Sequence, residues 1–220
     1  TLIWKTRNLE DHTHCTPTLD VARRRIYIGS NRGHFHAFDT AGKQIWRFAV
    51  RGAFDPVPDP RPTYRAQIKS TAALAGDRIL FTSWDHRLYC LAADTGRELW
   101  SFETDHRTMS SPSVDTTGRR VYFGSHDHNV YAIDLDTGKR LWQTTTGGRI
   151  YSSALLVPRA DGTGMAVVIG SCDSRLYILD AADGTILWQR LLNGPVTNVP
   201  YIRNGRLLVS TNGGELVCFE

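Results

Sequence analysis

The sequence predicts an all-β protein, a β-propeller of four-stranded antiparallel blades, on three observations. First, one unit recurs: "RIYIGSNRGHFHAFDTAGKQIW" (25–46), "RILFTSWDHRLYCLAADTGRELW" (78–100), "RVYFGSHDHNVYAIDLDTGKRLW" (120–142) and "VVIGSCDSRLYILDAADGTILW" (167–188). "RLLVSTNGGELVCFE" (206–220) is the same unit cut short. Second, Trp46, Trp100, Trp142 and Trp188 follow one another at 54, 42 and 46 residues, and Trp4 precedes Trp46 by 42. Third, every unit breaks into short β-branched and aromatic runs separated by Gly, Asn and Asp turns, with no sustained helical period. A period near 42 with four strands per unit is the signature of a propeller.

Each unit resolves into four strands in order. The first is a small-residue stretch such as "MSSPSV" or "YSSALL", and the others follow as "VYFGS", "NVYAID" and "KRLWQT". The "DTG" and "ADG" between the third and fourth suit tight turns in which Gly takes the positive-φ position. The blades fall at about 13–50, 68–105, 109–145, 150–190 and 195–220. The last stops before its fourth strand, and "TLIWKT" (1–6) reads as a fourth strand lacking its first three. Adding it to the last blade closes a single domain of five blades and removes the raw edge. The rival is a larger ring represented here by five repeats. Trp4, Trp46, Trp100, Trp142 and Trp188 are the expected anchors between blades. One link, 50–67, is Pro-rich and about twelve residues longer than its counterparts. With Arg51, Arg61, Tyr64 and Arg65 it reads as a surface loop, a lid or a partner contact.

The bulk numbers fit a globular chain. At 220 residues it can bury roughly 70% of its unfolded surface. The net charge of +4 is too mild to argue for nucleic acid, and no apolar run is long enough to span a bilayer. Cys15, Cys90, Cys172 and Cys218 form no CxxC pair, and their placement in the repeat brings no two within bridging reach. Free thiols favour a cytoplasmic location. A periplasmic or secreted one follows instead if a signal peptide has been removed, since the chain does not begin with Met.

"VYFGSHDHNVYAIDLDTGKRLW" and its copies, together with Ser110-Ser111-Pro112, resemble the quinoprotein-type, or PQQ-like, repeat over essentially the whole chain. The resemblance implies W-shaped four-stranded blades with tryptophans docked between neighbours. It does not imply the quinone. Relatives that hold pyrroloquinoline quinone use a disulfide between adjacent cysteines, and this chain has no Cys-Cys. Many relatives are assembly scaffolds or domains appended to larger polypeptides.

In a four-stranded meander, the second-to-third turns and the links between blades emerge at the same end. That end gathers Asp11-His12-Thr13-His14, Asn31-Arg32-Gly33-His34, Asp85-His86, Asp105-His106-Arg107, His126-Asp127-His128, Gly148-Arg149 and Cys172-Asp173. Seven of eight histidines therefore fall on one face, with His36 alone inside a strand. An Asp can orient an imidazole and leave its other nitrogen for a metal or a proton. His86, His106, His126 and His128 are thus candidate ligands for a divalent metal. The recurring column Asp85, Asp127, Asp173 argues instead for a structural turn. The first strands align as rings. One holds Cys15, Ser70, Ser110, Ser152 and Thr197, and the ring nearer the histidine face holds His14, Lys69, Met109, Tyr151 and Val196. His14, Lys69 and Tyr151, with Arg149 nearby, form a candidate anion site at the channel mouth. Arg32, Arg87, Arg107, Arg149 and Arg175 could make the same rim basic, or pair with its aspartates.

The expected function is a non-enzymatic binding module whose partner is a protein or a small anionic ligand. The alternatives are a metal-dependent lyase or hydrolase at the same face, then a quinone-dependent oxidoreductase.

Overall fold

The computed structural model describes residues 1–6, 9, 12–53, 66–159 and 161–220. The long 50–67 link, with Arg61, Tyr64 and Arg65, lies mostly outside them, as does Asp11. The chain divides into two compact units, Thr1–Met109 and Ser110–Glu220. In the first, β1 (Thr18–Asp20), β2 (Arg25–Gly29), β3 (His34–Asp39) and β4 (Gln44–Ala49) form one sheet. A second follows from β5 (Ala73–Ala75), β6 (Arg78–Ser83), β7 (Arg87–Ala92) and β8 (Glu98–Glu103). In the second unit, β9 (Ser113–Asp115), β10 (Arg120–Gly124), β11 (Asn129–Asp134) and β12 (Arg140–Thr145) form a third sheet. The fourth comprises β13 (Leu155–Pro158), β14 (Met165–Gly170), β15 (Arg175–Asp180) and β16 (Ile186–Leu191). β17 (Tyr201–Arg203), β18 (Arg206–Ser210) and β19 (Leu216–Phe219) make a three-stranded fifth. Every sheet is an antiparallel meander in chain order, the four-stranded blade that the repeat predicts.

The first strand of each blade is shorter than its small-residue stretch. Pro17, Pro112 and Pro200 stand immediately before β1, β9 and β17, and proline has no N–H to give a ladder. Upstream of the strand, side chains replace the backbone ladder. Ser70 Oγ donates to the Thr82 carbonyl at 2.9 Å and accepts from its N–H at 2.8 Å. Ser110 Oγ accepts from Gly124 N–H at 3.0 Å, and Asn198 Nδ2 donates to Ser210 Oγ at 2.9 Å. Ser70, Ser110 and Asn198 are therefore scaffold.

The outer strands carry a feature that the repeat hid. In all four complete blades the register slips one residue at the tryptophan, so that Trp46 faces Ala37, Trp100 faces Cys90, Trp142 faces Ala132 and Trp188 faces Ile178. The residue before each Trp bulges out of the ladder, which kinks and twists the strand locally.

Blades dock through a shared acceptor. The Ala93 carbonyl accepts from Trp46 Nε1 (3.0 Å), Tyr27 OH (3.1 Å) and Arg25 Nη1 (2.9 Å) of the preceding blade. The Ala181 carbonyl accepts from Trp142 Nε1 (3.1 Å), Tyr122 OH (3.0 Å) and Arg120 Nη1 (3.2 Å) in the same way. The indole then lies over the turn glycine. A Cβ on Gly96 would sit 2.5 Å from the Trp46 ring, and one on Gly184 would sit 2.6 Å from that of Trp142. Residues 1–6 form no strand, yet Trp4 repeats this docking, with Nε1 donating to the Thr40 carbonyl at 2.9 Å and its ring over Gly42. Trp188 meets Phe219 edge to face at 5.4 Å. The Gly of each Gly-Ser pair has its own reason. Gly29, Gly124 and Gly170 lie against Ile68, Ile150 and Val196 of the next blade, with no room for a methyl group. The core between blades is aromatic, with Phe35 stacked on Phe81 at 4.1 Å and Tyr27, Tyr89 and Tyr122 fully buried.

Candidate functional site at the loop rim

The rim is built on one turn repeated in every blade. Its four residues are Ser30–Gly33, Ser83–His86, Ser125–His128, Ser171–Ser174 and Thr211–Gly214. The fourth position is left-handed throughout: φ is 79° at Gly33, 71° at His86, 74° at His128, 69° at Ser174 and 84° at Gly214. His86 and His128 thus occupy a position that glycine fills elsewhere. Their carbonyls are held alike: Thr104 N–H and Oγ1 donate to His86 O at 2.8 and 3.0 Å, and Thr146 does the same to His128 O.

The aspartate column is structural. Tyr89, Tyr131 and Tyr177 each donate a hydroxyl to the Asp four residues before them, Asp85, Asp127 and Asp173. Asp127 Oδ1 accepts from Asn129 N–H at 3.0 Å, and Asp173 Oδ1 from Arg175 N–H at 2.9 Å. These oxygens tie the turn to β11 and β15. Burial and the neighbouring Asp173 push the Tyr177 hydroxyl up to about 12, and burial raises the Asp85 carboxyl.

The histidines divide. His86 and His106 stack with ring centroids 5.7 Å apart and planes 7° from parallel. His106 Nδ1 accepts the Arg107 backbone N–H at 2.9 Å, which leaves its proton on Nε2. His126 is buried against Tyr151, with centroids at 4.2 Å, while His128 is exposed. Among the described residues, no group of three or more His, Cys, Asp or Glu side chains could hold a metal ion. His34 departs from its expected place in a turn. It is the first residue of β3, pairs with Ala49 and is 1% exposed, because Ser30 N–H closes the turn onto its carbonyl.

The alignment of the first strands needs one correction. Val196 N–H bonds Ser171 O just as Ile68 N–H bonds Ser30 O and Ile150 N–H bonds Ser125 O, so Val196 is a buried spacer. Thr197 is therefore the counterpart of Lys69 and Tyr151, and Asn198 that of Ser70. Side chains at this level meet the rim turns: His14 Nδ1 lies 3.1 Å from Asn31 Oδ1, and Thr197 Oγ1 lies 3.0 Å from Asn212 Oδ1. Lys69 Nζ stands 4.0 Å from the centre of the Trp84 ring. The Arg107 guanidinium stands 4.6 Å from the same ring. Burial and the Arg107 charge lower the Lys69 ammonium below its usual range. Trp84 was the missed residue. It is the one tryptophan outside the Trp register, and that irregularity was its signal.

Two of the expected arginines brace the scaffold. Arg87 pairs with Glu103. Arg51 bonds Ser101 Oγ at 3.0 Å and Glu98 at 3.1 Å, so its side chain braces the second blade. Arg149 is exposed. All four cysteines are free thiols. Burial raises the Cys15 thiol, the opposite of what an activated nucleophile needs.

A family profile described as outer membrane protein assembly factor BamB matches residues 1–163 and 156–220. The chain belongs to that family. Among solved structures, BamB from Moraxella catarrhalis superposes with a TM-score of 0.75 at 17% identity, over 94% of this chain and 61% of that one. The computationally designed Ika8 protein gives 0.71 at 14% identity over 92% of this chain and 57% of that one. The designed Ika4 protein gives 0.56 at 15% identity over 67% and 88%. The chain thus spans less than two thirds of the BamB and Ika8 structures. These likenesses establish the repeat-propeller fold. No curated protein matches the sequence. Among the described residues, no helix is long and apolar enough to cross a membrane.

Proposed function

We propose that this BamB-family propeller is a non-enzymatic binding module that holds a protein partner at its loop rim. One observation carries the reading. The backbone of the rim turn is the same in every blade, yet its side chains differ from blade to blade. Where the scaffold demands a group, the group recurs, as in the Asp–Tyr pairs and the tryptophan clamps. Where it does not, the chain places Lys69, Trp84, Arg107, His126, Tyr151 and Arg149, several of them large, cationic or aromatic. Arg and aromatic side chains on a rigid frame are the usual anchors of protein interfaces. Membership of a family described as an assembly factor supports the same reading.

The test is paired photo-crosslinking in the source cell. A crosslinking residue replaces Arg32 or Arg149 at the rim, or Thr117 or Asp183 in turns at the other end of the blades. Discrete protein adducts from the rim positions alone are expected. Adducts from the other end alone, or equally from both, would overturn the assignment.

A further inference from the structure

Lys69, Trp84 and Arg107 come from three segments of the first unit: the link before β5, the β6–β7 turn and the link after β8. Both cations lie against one indole, and among the described residues neither meets a carboxylate. Two like charges brought together at a partly buried aromatic ring repel one another. The ring's quadrupole offsets part of that repulsion but supplies no counter-charge.

The polar atoms around the ring are also unanswered. Trp84 Nε1, Gln67 Oε1 and Thr108 Oγ1 are buried with no hydrogen-bond partner among the described residues. Gln67 is 8% exposed and Thr108 is 0% exposed. They belong to the same spot. Trp84 N–H donates to the Gln67 carbonyl at 2.9 Å, and Thr108 N–H donates to the Ser83 carbonyl at 3.4 Å. Buried polar groups are ordinarily satisfied, so such a cluster indicates a ligand. The donors, which are an ammonium, a guanidinium, an indole N–H and a hydroxyl, ask for oxyanion acceptors. Gln67 Oε1, which can only accept, asks for an N–H. A peptide bearing carboxylates supplies both.

We propose that Lys69, Trp84 and Arg107 anchor an acidic peptide segment, a run of Asp or Glu side chains on the partner, with Gln67 taking a backbone N–H. This rests on the rim-binding function and names the partner's chemistry. The experiment follows the Trp84 indole resonance of the 15N-labelled chain, assigned with Trp84→Phe. The probes are acetyl-Gly-Glu-Asp-Glu-Gly-amide, its isosteric acetyl-Gly-Gln-Asn-Gln-Gly-amide and inorganic phosphate. The acidic peptide alone is expected to shift the Trp84 signal saturably. Lys69→Met and Arg107→Gln should each weaken it roughly tenfold, as loss of a charge-assisted contact does. Arg97→Gln should leave it within about twofold, because this exposed arginine in the β7–β8 turn, outside the rim, contributes only a screened long-range charge. Unchanged signals from the other five indoles show that each variant is folded.

No shift, an equal response to the neutral peptide, equal affinity for phosphate, or an equal loss in Arg97→Gln would overturn the proposal. Phosphate matching the peptide would mean a small-anion site. If rim crosslinks form while the peptide leaves Trp84 untouched, this inference falls and the binding function stands.

Discussion

Replacing Gly124 by Ala tests the blade-to-blade packing directly. A Cβ built there would lie 2.1 Å from Ile150 Cγ2 and 2.7 Å from Ile150 Cβ. Ordinary carbon contacts are about 3.5–4.0 Å, so one side must retreat by more than an ångström. Neither side is free to do so. Gly124 N–H is bonded to Ser110 Oγ at 3.0 Å, Ile150 N–H to Ser125 O at 3.1 Å, and Ile150 is fully buried. Overpacking of this kind costs about 1–3 kcal/mol, and the pinned backbones place Gly124→Ala at the upper end. At about 2–4 °C per kcal/mol for a chain of this size, the melting temperature should fall by roughly 6–12 °C. Ile150→Ala alone should cost about 2–5 kcal/mol through the cavity it leaves. The double variant should cost less than the two together by about 1–3 kcal/mol, because the new methyl enters the space vacated by the isoleucine. Urea unfolding followed by tryptophan fluorescence gives all three values. Strict additivity, or a Gly124→Ala protein as stable as the parent, would refute the packing argument.

Three further outcomes follow from particular contacts. His128→Gly should be neutral or raise stability by up to about 1 kcal/mol in urea unfolding, since φ of 74° strains a residue with a Cβ; a clear loss would mean that the imidazole is structural. Tyr131→Phe should cost about 1–2 kcal/mol by removing the 2.8 Å bond to Asp127, whereas no change would show the Asp–Tyr pair to be incidental. Asp20→Asn tests a charge. Burial pushes this carboxyl up, but hydrogen bonds from the Arg23 N–H and guanidinium outweigh it and hold the group below its usual range. Its contribution is therefore complete above about pH 4, the unfolded value, and is lost as pH falls through the depressed native value. The stability gap between parent and variant should be constant from pH 7 to 5 and close below 4; a gap that widens in acid would contradict the assignment.

What the sequence made legible was whatever repeats. The Trp register, the Gly-Ser pairs and the "DTG" turns marked blades because one contact recurs at each: an indole on a turn glycine, a glycine under the next blade's Ile or Val. What stayed hidden depends on distance along the chain or on a single step of register. Lys69, Trp84 and Arg107 span 38 residues and share no motif. The bulge before each tryptophan leaves spacing unchanged. In the fifth blade, matching Thr197 to the serines of other blades by chemistry shifted the ring by one, whereas the Val196 N–H bond to Ser171 O fixes it. His86 and His128 stood out as chemistry, but the left-handed turn beneath them was invisible without backbone angles.

The central claim is a division of labour, with stability in what repeats and binding in what departs from it. Its most direct test is the unfolding free energy of a chain carrying Lys69→Ala, Arg107→Ala and Arg149→Ala together. Exposed positions cost within about 0.5 kcal/mol each and cation–π contacts about 0.5–1. The account predicts a total loss below about 2.5 kcal/mol with the urea dependence unchanged. A loss above about 4 kcal/mol would show that the rim side chains hold the fold together, and would contradict the account.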